Sequence, residues 1–269
     1  MRHRLRNHFL LLASLGAAAA GDDPGRMPLT VTAYEPIYFL VEPVENLNAK
    51  FQFSVALRAV SWDTQAAAGA ERRDGFYFSY SQTSWWDLHH VSKPFFDNSY
   101  RPEAWFYFGH LFPERLPALG KDSHIGLATG IGHESNGKAG EDSRSIDWYG
   151  FVRAPIRSHL DGSLWLTVDP RWRIIPKHLT ENPDIADYRG RFEAHVLLNQ
   201  RWFNLDLLGR LGDGGHYGNV QVDGSFPLKA LDPHLNFNLH AQWYYGYGET
   251  LLHYDQRTHR FLVGISFVP

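Results

Sequence analysis

The chain has no cysteine, so neither a disulfide framework nor a thiolate metal site is available to it. Beyond its first residues it also lacks any continuous apolar run of about 20 residues, the length a membrane-spanning helix needs. It lacks a strong charge of either sign as well. A formal net charge of −3 over 269 residues gives no electrostatic footprint for a nucleic acid. None of these absences bears on a transmembrane β-strand. Such a strand needs only about ten residues, of which alternate ones face lipid.

The first residues read as an export signal. Arg2, Arg4 and Arg6 form a basic region, Phe9 to Ala19 a short apolar run, and Ala18-Ala19-Ala20 a small-residue cleavage pattern. Residues 1–20 are thus expected to be removed, leaving a chain that starts near Gly21. Residues 21–48 contain several prolines and no clear periodicity, and are expected to be irregular.

From residue 49 onward, apolar and polar residues alternate with period two. Phe51, Phe53, Val55 and Leu57 alternate with Gln52, Ser54 and Ala56. Phe261, Val263, Ile265 and Phe267 do the same near the end. This is the pattern of strands with one apolar face. About twelve such segments lie near 50–60, 74–84, 102–112, 122–133, 143–155, 162–172, 188–198, 201–211, 217–226, 235–246, 249–254 and 259–268. Turn clusters such as Gly212-Asp213-Gly214-Gly215 and Asp232-Pro233 separate them. The even number suits a closed antiparallel barrel, which leaves no sheet edge unpaired in lipid. The high aromatic content (Trp 9, Tyr 13, Phe 18) suits interfacial girdles. The expected fold is an all-β, twelve-stranded antiparallel transmembrane barrel over residues 49–269. A soluble β-sandwich or lipocalin-like barrel shares the alternation, and is disfavoured by the export signal, the even count and the aromatic load.

One stretch carries chemistry. Ile125, Leu127, Thr129 and Ile131 form an apolar row, and His133 and Ser135 continue it. Side chains at i and i+2 share a face of a strand, so a hydroxyl and an imidazole are expected on the barrel's outer wall. Polar groups there are costly, which marks them as functional candidates. If the following turn centres near Gly140, residues whose numbers sum to 280 face each other. Ser135 then opposes Ser145, His133 opposes Asp147, and Ile131 opposes Tyr149. A nucleophile, a base and an orienting carboxylate would thus sit within reach of one another.

The stretch His133-Glu134-Ser135-Asn136-Gly137-Lys138, followed by Ser143-Arg144-Ser145, resembles the active-site segment of the outer membrane phospholipase A family. Further blocks match in order. They include Tyr80 to Leu88, Ser92-Lys93-Pro94-Phe95, Glu181-Asn182-Pro183-Asp184-Ile185, and Gly246 to Leu252. The resemblance runs from about Phe51 to Phe267 and implies a calcium-dependent, homodimeric phospholipase of types A1 and A2 with lysophospholipase activity. It implies Ser135 as nucleophile, His133 as base and the Gly137 amide as oxyanion donor. It implies Ca²⁺ held by the Lys138 carbonyl and the Ser143 side chain, with the Ser92 carbonyl supplied by a second subunit and Glu181 assisting. Two positions depart from the family: its third catalytic residue is asparagine where this chain has Asp147, and an acidic calcium-site residue falls at Gly140. Glu141 and Asp142 stand next to the latter.

Gln82 continues the outward row Phe76, Phe78, Tyr80, where an amide would find partners on a second subunit or in water at the rim. His89-His90 lies in a loop without further ligands at useful spacing. His195 and His240 sit in polar rows and belong to interior networks. Trp85-Trp86 and Tyr244-Tyr245 read as interfacial belts. The rival function is a non-enzymatic channel or porin, which would need a wide lumen and neither His133 nor Ser135.

Overall fold

A computed structural model describes residues 30–43, 48–62, 74–91, 94–109, 123–176 and 179–268. The expected export signal and cleavage point lie outside these residues. Fifteen strand segments form one antiparallel sheet: β1 (Thr30–Ala33), β2 (Ile37–Val41), β3 (Asn48–Ser61), β4 (Gly75–Asp87), β5 (Phe95–Phe108), β6 (His124–Ile125), β7 (Leu127–Ser135), β8 (Ser145–Arg153), β9 (Ile156–Asp161), β10 (Leu164–Ile174), β11 (Phe192–Gln200), β12 (Phe203–Leu211), β13 (Gly218–Pro227), β14 (Asn238–Gly246) and β15 (Thr258–Val268). A single helical turn, α1 (Ile185–Arg189), lies between β10 and β11.

The ring contains twelve strands because three of them are each split in two. β1 and β2 lie along the same edge of β3, interrupted around Pro36. β6 and β7 are interrupted at Gly126, whose N–H turns to the Pro155 carbonyl. β8 and β9 are interrupted at Ala154-Pro155, where proline has no N–H to give to the ladder, yet both halves keep register on β10. Pairing of β2 with β15 and of β10 with β11 completes the closed barrel.

Two details differ from the sequence expectation. Residues 249–254 form turns rather than a strand. Gly246 and Gly248 adopt positive φ of 125° and 73° and end the strand there. The turn that follows buries Leu251 over the barrel mouth. The twelfth strand is instead supplied by residues 30–41, within the segment expected to be irregular. Its alternation is only five residues long in β2, and Pro36 and Pro43 flank it and mask the period. Tyr38 and Leu40 point inward there while Phe39 points outward.

The outward face is apolar, with Phe53, Phe78, Phe106, Ile131, Trp172 and Phe261 among its exposed residues. The interior is polar and occupied. Arg171 pairs with Glu103, Arg173 and Arg210 reach Glu193 at 2.9 Å, and Arg153 pairs with Asp169. Lys50 bonds Gln242 at 2.7 Å, and His240 bonds Asp223 at 2.8 Å. His195 bonds Asp206 at 3.0 Å, so both interior histidines lie in networks as expected. These groups leave a cavity of about 340 Å³ between them. That space suits bridging waters rather than a wide channel.

Glu103 is the hub of this interior. It pairs with Arg171 and accepts the Tyr34 and Tyr149 hydroxyls at 2.8 and 3.0 Å. Truncating one member of a buried pair strands the other charge, at a cost of about 3–5 kcal/mol. Glu103→Ala is expected to lower unfolding free energy by that amount in detergent–urea titrations. An unchanged midpoint would contradict the pairing.

Candidate active site

β7 and β8 form a hairpin whose turn spans residues 136–144. Along β7, Ala128, Gly132 and Glu134 are buried toward the interior, while Ile131, His133 and Ser135 alternate to the outside. The expected outward placement of His133 and Ser135 is therefore met. Near the turn the register is also as expected, with Ser135 opposite Ser145 and Glu134 opposite Ile146.

Further down the hairpin the register changes. Gly132 pairs with Tyr149 and Ile131 with Gly150, so Ile131 does not oppose Tyr149. A β-bulge has placed one extra residue in β8. Ile146 and Tyr149 both point inward, each 1% exposed, and the two residues between them, Asp147 and Trp148, both face outward beside His133. The inward demand of Tyr149 explains the bulge. Its hydroxyl serves Glu103, and its ring lies so close to Gly132 that a Cβ there would stand 2.7 Å from Cζ.

Ser135, His133 and Asp147 thus occupy one outward patch. Among the described residues no hydrogen bond joins the three to one another. Nδ1 of His133 is buried and has no hydrogen-bond partner. Asp147 is exposed and accepts a long 3.4 Å bond from the Ser145 hydroxyl. The His133 ring instead lies against Trp148, centroid to centroid 5.6 Å at 41°. Catalytic hydrogen bonds are often long in free enzymes and tighten with substrate.

The turn is pinned by Asn136, which is 2% exposed. Its amide donates to the Asp142 carbonyl at 2.8 Å and to Asp97 at 3.3 Å. Its oxygen accepts the Lys138 and Arg144 amides at 3.2 and 3.0 Å. Gly137 has φ +69°, and the Tyr100 ring covers it so closely that a Cβ would meet the ring at 2.7 Å. Glycine is therefore required there on both counts. Lys138 sends its ammonium to the Phe96 carbonyl at 2.7 Å.

The residues expected to hold a metal come partly together. Ser143 Oγ donates to Glu181 Oε1 at 2.7 Å, joining the turn to the segment before α1. Lys138 belongs to the same turn, and Ser92 lies outside the described residues. Hydroxyl, carboxylate and carbonyl oxygens form a donor set that fits a hard cation such as Ca²⁺. Gly140 adopts φ +70° at the start of the Gly140–Asp142 turn, with open space around it. Among the described residues no group of three His, Asp or Glu side chains gathers at one metal position.

Several supporting residues were not foreseen. Asn182, fully buried, accepts the Ser145 amide at 2.9 Å. Asp97, also fully buried, ties Asn136 to the Leu252 amide. Glu134, directly between His133 and Ser135, turns inward to Arg189 of α1 at 3.0 Å and Ser99 at 2.7 Å. Tyr254 donates to Asp184, and burial together with that carboxylate pushes its hydroxyl above the usual tyrosine range. Alternation marks Asp97 and Glu134 as inward but not which distant loop each one meets, and Asn182 and Tyr254 lie in loops that carry no such period.

Other expectations need correction. Gln82 does not lack partners within its own chain, because its amide accepts from Tyr80 at 2.9 Å and donates to Ser84 at 3.1 Å. Of the aromatic pairs, Trp85 and Tyr244 point inward, and only Trp86 and Tyr245 face outward as a belt requires. Asp87 caps the loop at His89 and His90, accepting both backbone N–H groups and pairing with the His90 ring.

Three comparisons bear on this arrangement. A family model described as phospholipase A1 matches residues 23–267. Phospholipase A1 of Salmonella typhimurium is 29% identical over 261 residues, covering 88% of this chain and 81% of that protein. Phospholipase A1 of Escherichia coli K12 is 28% identical over 189 residues, covering 70% and 60%. Among solved structures, outer membrane phospholipase A from Escherichia coli superposes with a TM-score of 0.69 at 22% identity, covering 92% of this chain and 93% of that one. A Salmonella typhi outer membrane phospholipase dimer with bound calcium does so with a TM-score of 0.69 at 23% identity, covering 89% and 92%. The structural likenesses speak for the fold.

Because Asn136 satisfies the Asp142 carbonyl, the buried Asp97 carboxylate and two backbone amides, Asn136→Ala is expected to destabilise the hairpin by about 1–3 kcal/mol. Hydrogen exchange of the Lys138 and Arg144 amides should accelerate in that variant. Unaltered protection of both amides would refute the role given to Asn136.

Proposed function

The chain belongs to the phospholipase A1 family, and from that membership we propose that it hydrolyses the fatty-acyl esters of phospholipids at the outer wall of its barrel in the bacterial outer membrane. The observation that carries this reading is the outward His133–Ser135 pair, continuing the row of Leu127, Thr129 and Ile131. A phospholipid in the outer leaflet presents its ester to that wall.

Ser135 Oγ attacks the acyl carbonyl carbon while His133 takes the hydroxyl proton. The new C–O bond creates a tetrahedral oxyanion, which the Gly137 N–H stabilises. The oxyanion collapses, the bond from the carbonyl carbon to the glycerol oxygen breaks, and His133 returns the proton to that oxygen. Lysophospholipid leaves and the acyl group stays on Ser135. Water then attacks the acyl-enzyme, losing a proton to His133, and Ser135 recovers that proton as the fatty acid departs. Asp147, on the same outward patch, would accept Nδ1–H and stabilise the imidazolium. The unpartnered Nδ1 of His133 supports that role.

The metal ion of this reading is Ca²⁺, held by the Lys138 carbonyl, the Ser143 hydroxyl and Glu181, with Ser92 of the partner subunit completing the set in a homodimer. Those residues would hold the ion, which would supply positive charge that favours a developing oxyanion. The Ser143–Glu181 contact supports this donor set. The dimer rests on the shared ligand and on the family, since Gln82 is already satisfied within one chain.

Acyl-ester hydrolysis in detergent tests the assignment. Ser135→Ala is expected to lower kcat by roughly 10⁴-fold or more. Full turnover in that variant would remove the nucleophile. Asp147→Asn keeps a hydrogen-bond acceptor for Nδ1–H and is expected to stay within about tenfold of the parent, whereas Asp147→Ala should lose more. Chelating calcium should abolish activity, and Glu181→Gln should raise the calcium concentration needed for half-maximal rate. Equal rates with and without chelator would exclude the metal.

A further inference from the structure

The bulge in β8 brings a second residue to His133 besides Asp147. Trp148 is 65% exposed, so packing of the interior does not account for its position. Its indole lies 5.6 Å from the His133 ring, centroid to centroid, and is tilted 41° from it. An aromatic face within about 6 Å of a cation attracts it, most strongly when the ring is indole. In a regular hairpin only one outward β8 residue would oppose His133. The extra residue lets a carboxylate and an aromatic face share that place.

We propose that Trp148 is a positioning residue for ester hydrolysis, setting the plane of the His133 ring and stabilising the positive charge that ring carries after taking the Ser135 proton. This rests on the reading of His133 as the base. The charge exists only after proton transfer, in the tetrahedral state and its flanking transition states. The interaction is therefore worth more there than with substrate merely bound, and it acts on kcat rather than KM.

The competing role for an outward tryptophan is an interfacial anchor, which acts through lipid and not through histidine. A water-soluble short-chain ester in detergent micelles separates the two. Trp148→Leu, Trp148→Phe and Trp148→Tyr would be compared with the parent, each checked for folding by heat-shifted gel mobility. The leucine variant is expected to lose about 3- to 30-fold in kcat with KM changed less than about twofold. The phenylalanine and tyrosine variants should recover part of that loss, because they restore a π face without restoring indole's size. A leucine variant with the parent's kcat overturns the proposal, as do aromatic variants as slow as leucine. Ser135→Ala, run alongside, separates the levels. If it is inactive while Trp148→Leu matches the parent, only the role of Trp148 fails; if it turns over normally, the base and nucleophile fail with it.

Discussion

Closure of the sheet through β2 and β15 is the constraint from which the rest follows. Closure gives each of the twelve strands a partner on either side, and each side chain then faces either the lumen or the outside. The polar rows then have only one another to satisfy them. That accounts for the dense pairing of Arg171, Glu103, Arg173, Glu193 and Arg210 within so small a ring. The same rule makes polar groups on the outer row conspicuous. His133 and Ser135 lie on that row because Glu134 between them is committed to the interior by Arg189 and Ser99.

The site is held from behind and above rather than by its own members. Asn136 shapes the turn, Asn182 and Glu181 brace it from the segment ahead of α1, and Asp97 links it to the turn after β14. Asn136, Asn182 and Asp97 are buried, and the last two reach partners far away in sequence. Such contacts fix a geometry more sharply than apolar packing does, because leaving any one unmade is costly. Residues that would perform chemistry are thus free to face outward without structural duties of their own.

Much of this was legible from alternation alone, and the failures have definite physical causes. The outward parity of His133 and Ser135 and the pairing of Ser135 with Ser145 follow from period two and a turn near Gly140. The register below them does not, since a bulge leaves no mark on hydrophobic period when the added residue is a tryptophan facing out. Period two alone therefore gives no sign of Trp148 beside His133 and pairs Tyr149 with Ile131 instead of Gly132. The first strand was hidden by prolines at its ends, and the segment 249–254 borrowed the look of a strand from residues that bury themselves in a turn. The row of Gln82 shows an amide among aromatic neighbours but not that Tyr80 and Ser84, two residues to either side, meet its needs.

The position of Glu134 has a consequence for how the barrel wall works. Three successive residues, His133, Glu134 and Ser135, put an imidazole and a hydroxyl on the outside and a carboxylate on the inside, with a single layer of backbone between. The wall is therefore as thin as a peptide chain at the point where ester chemistry would occur. A charge added or removed within the lumen would act on His133 and Ser135 across a few ångströms of strand.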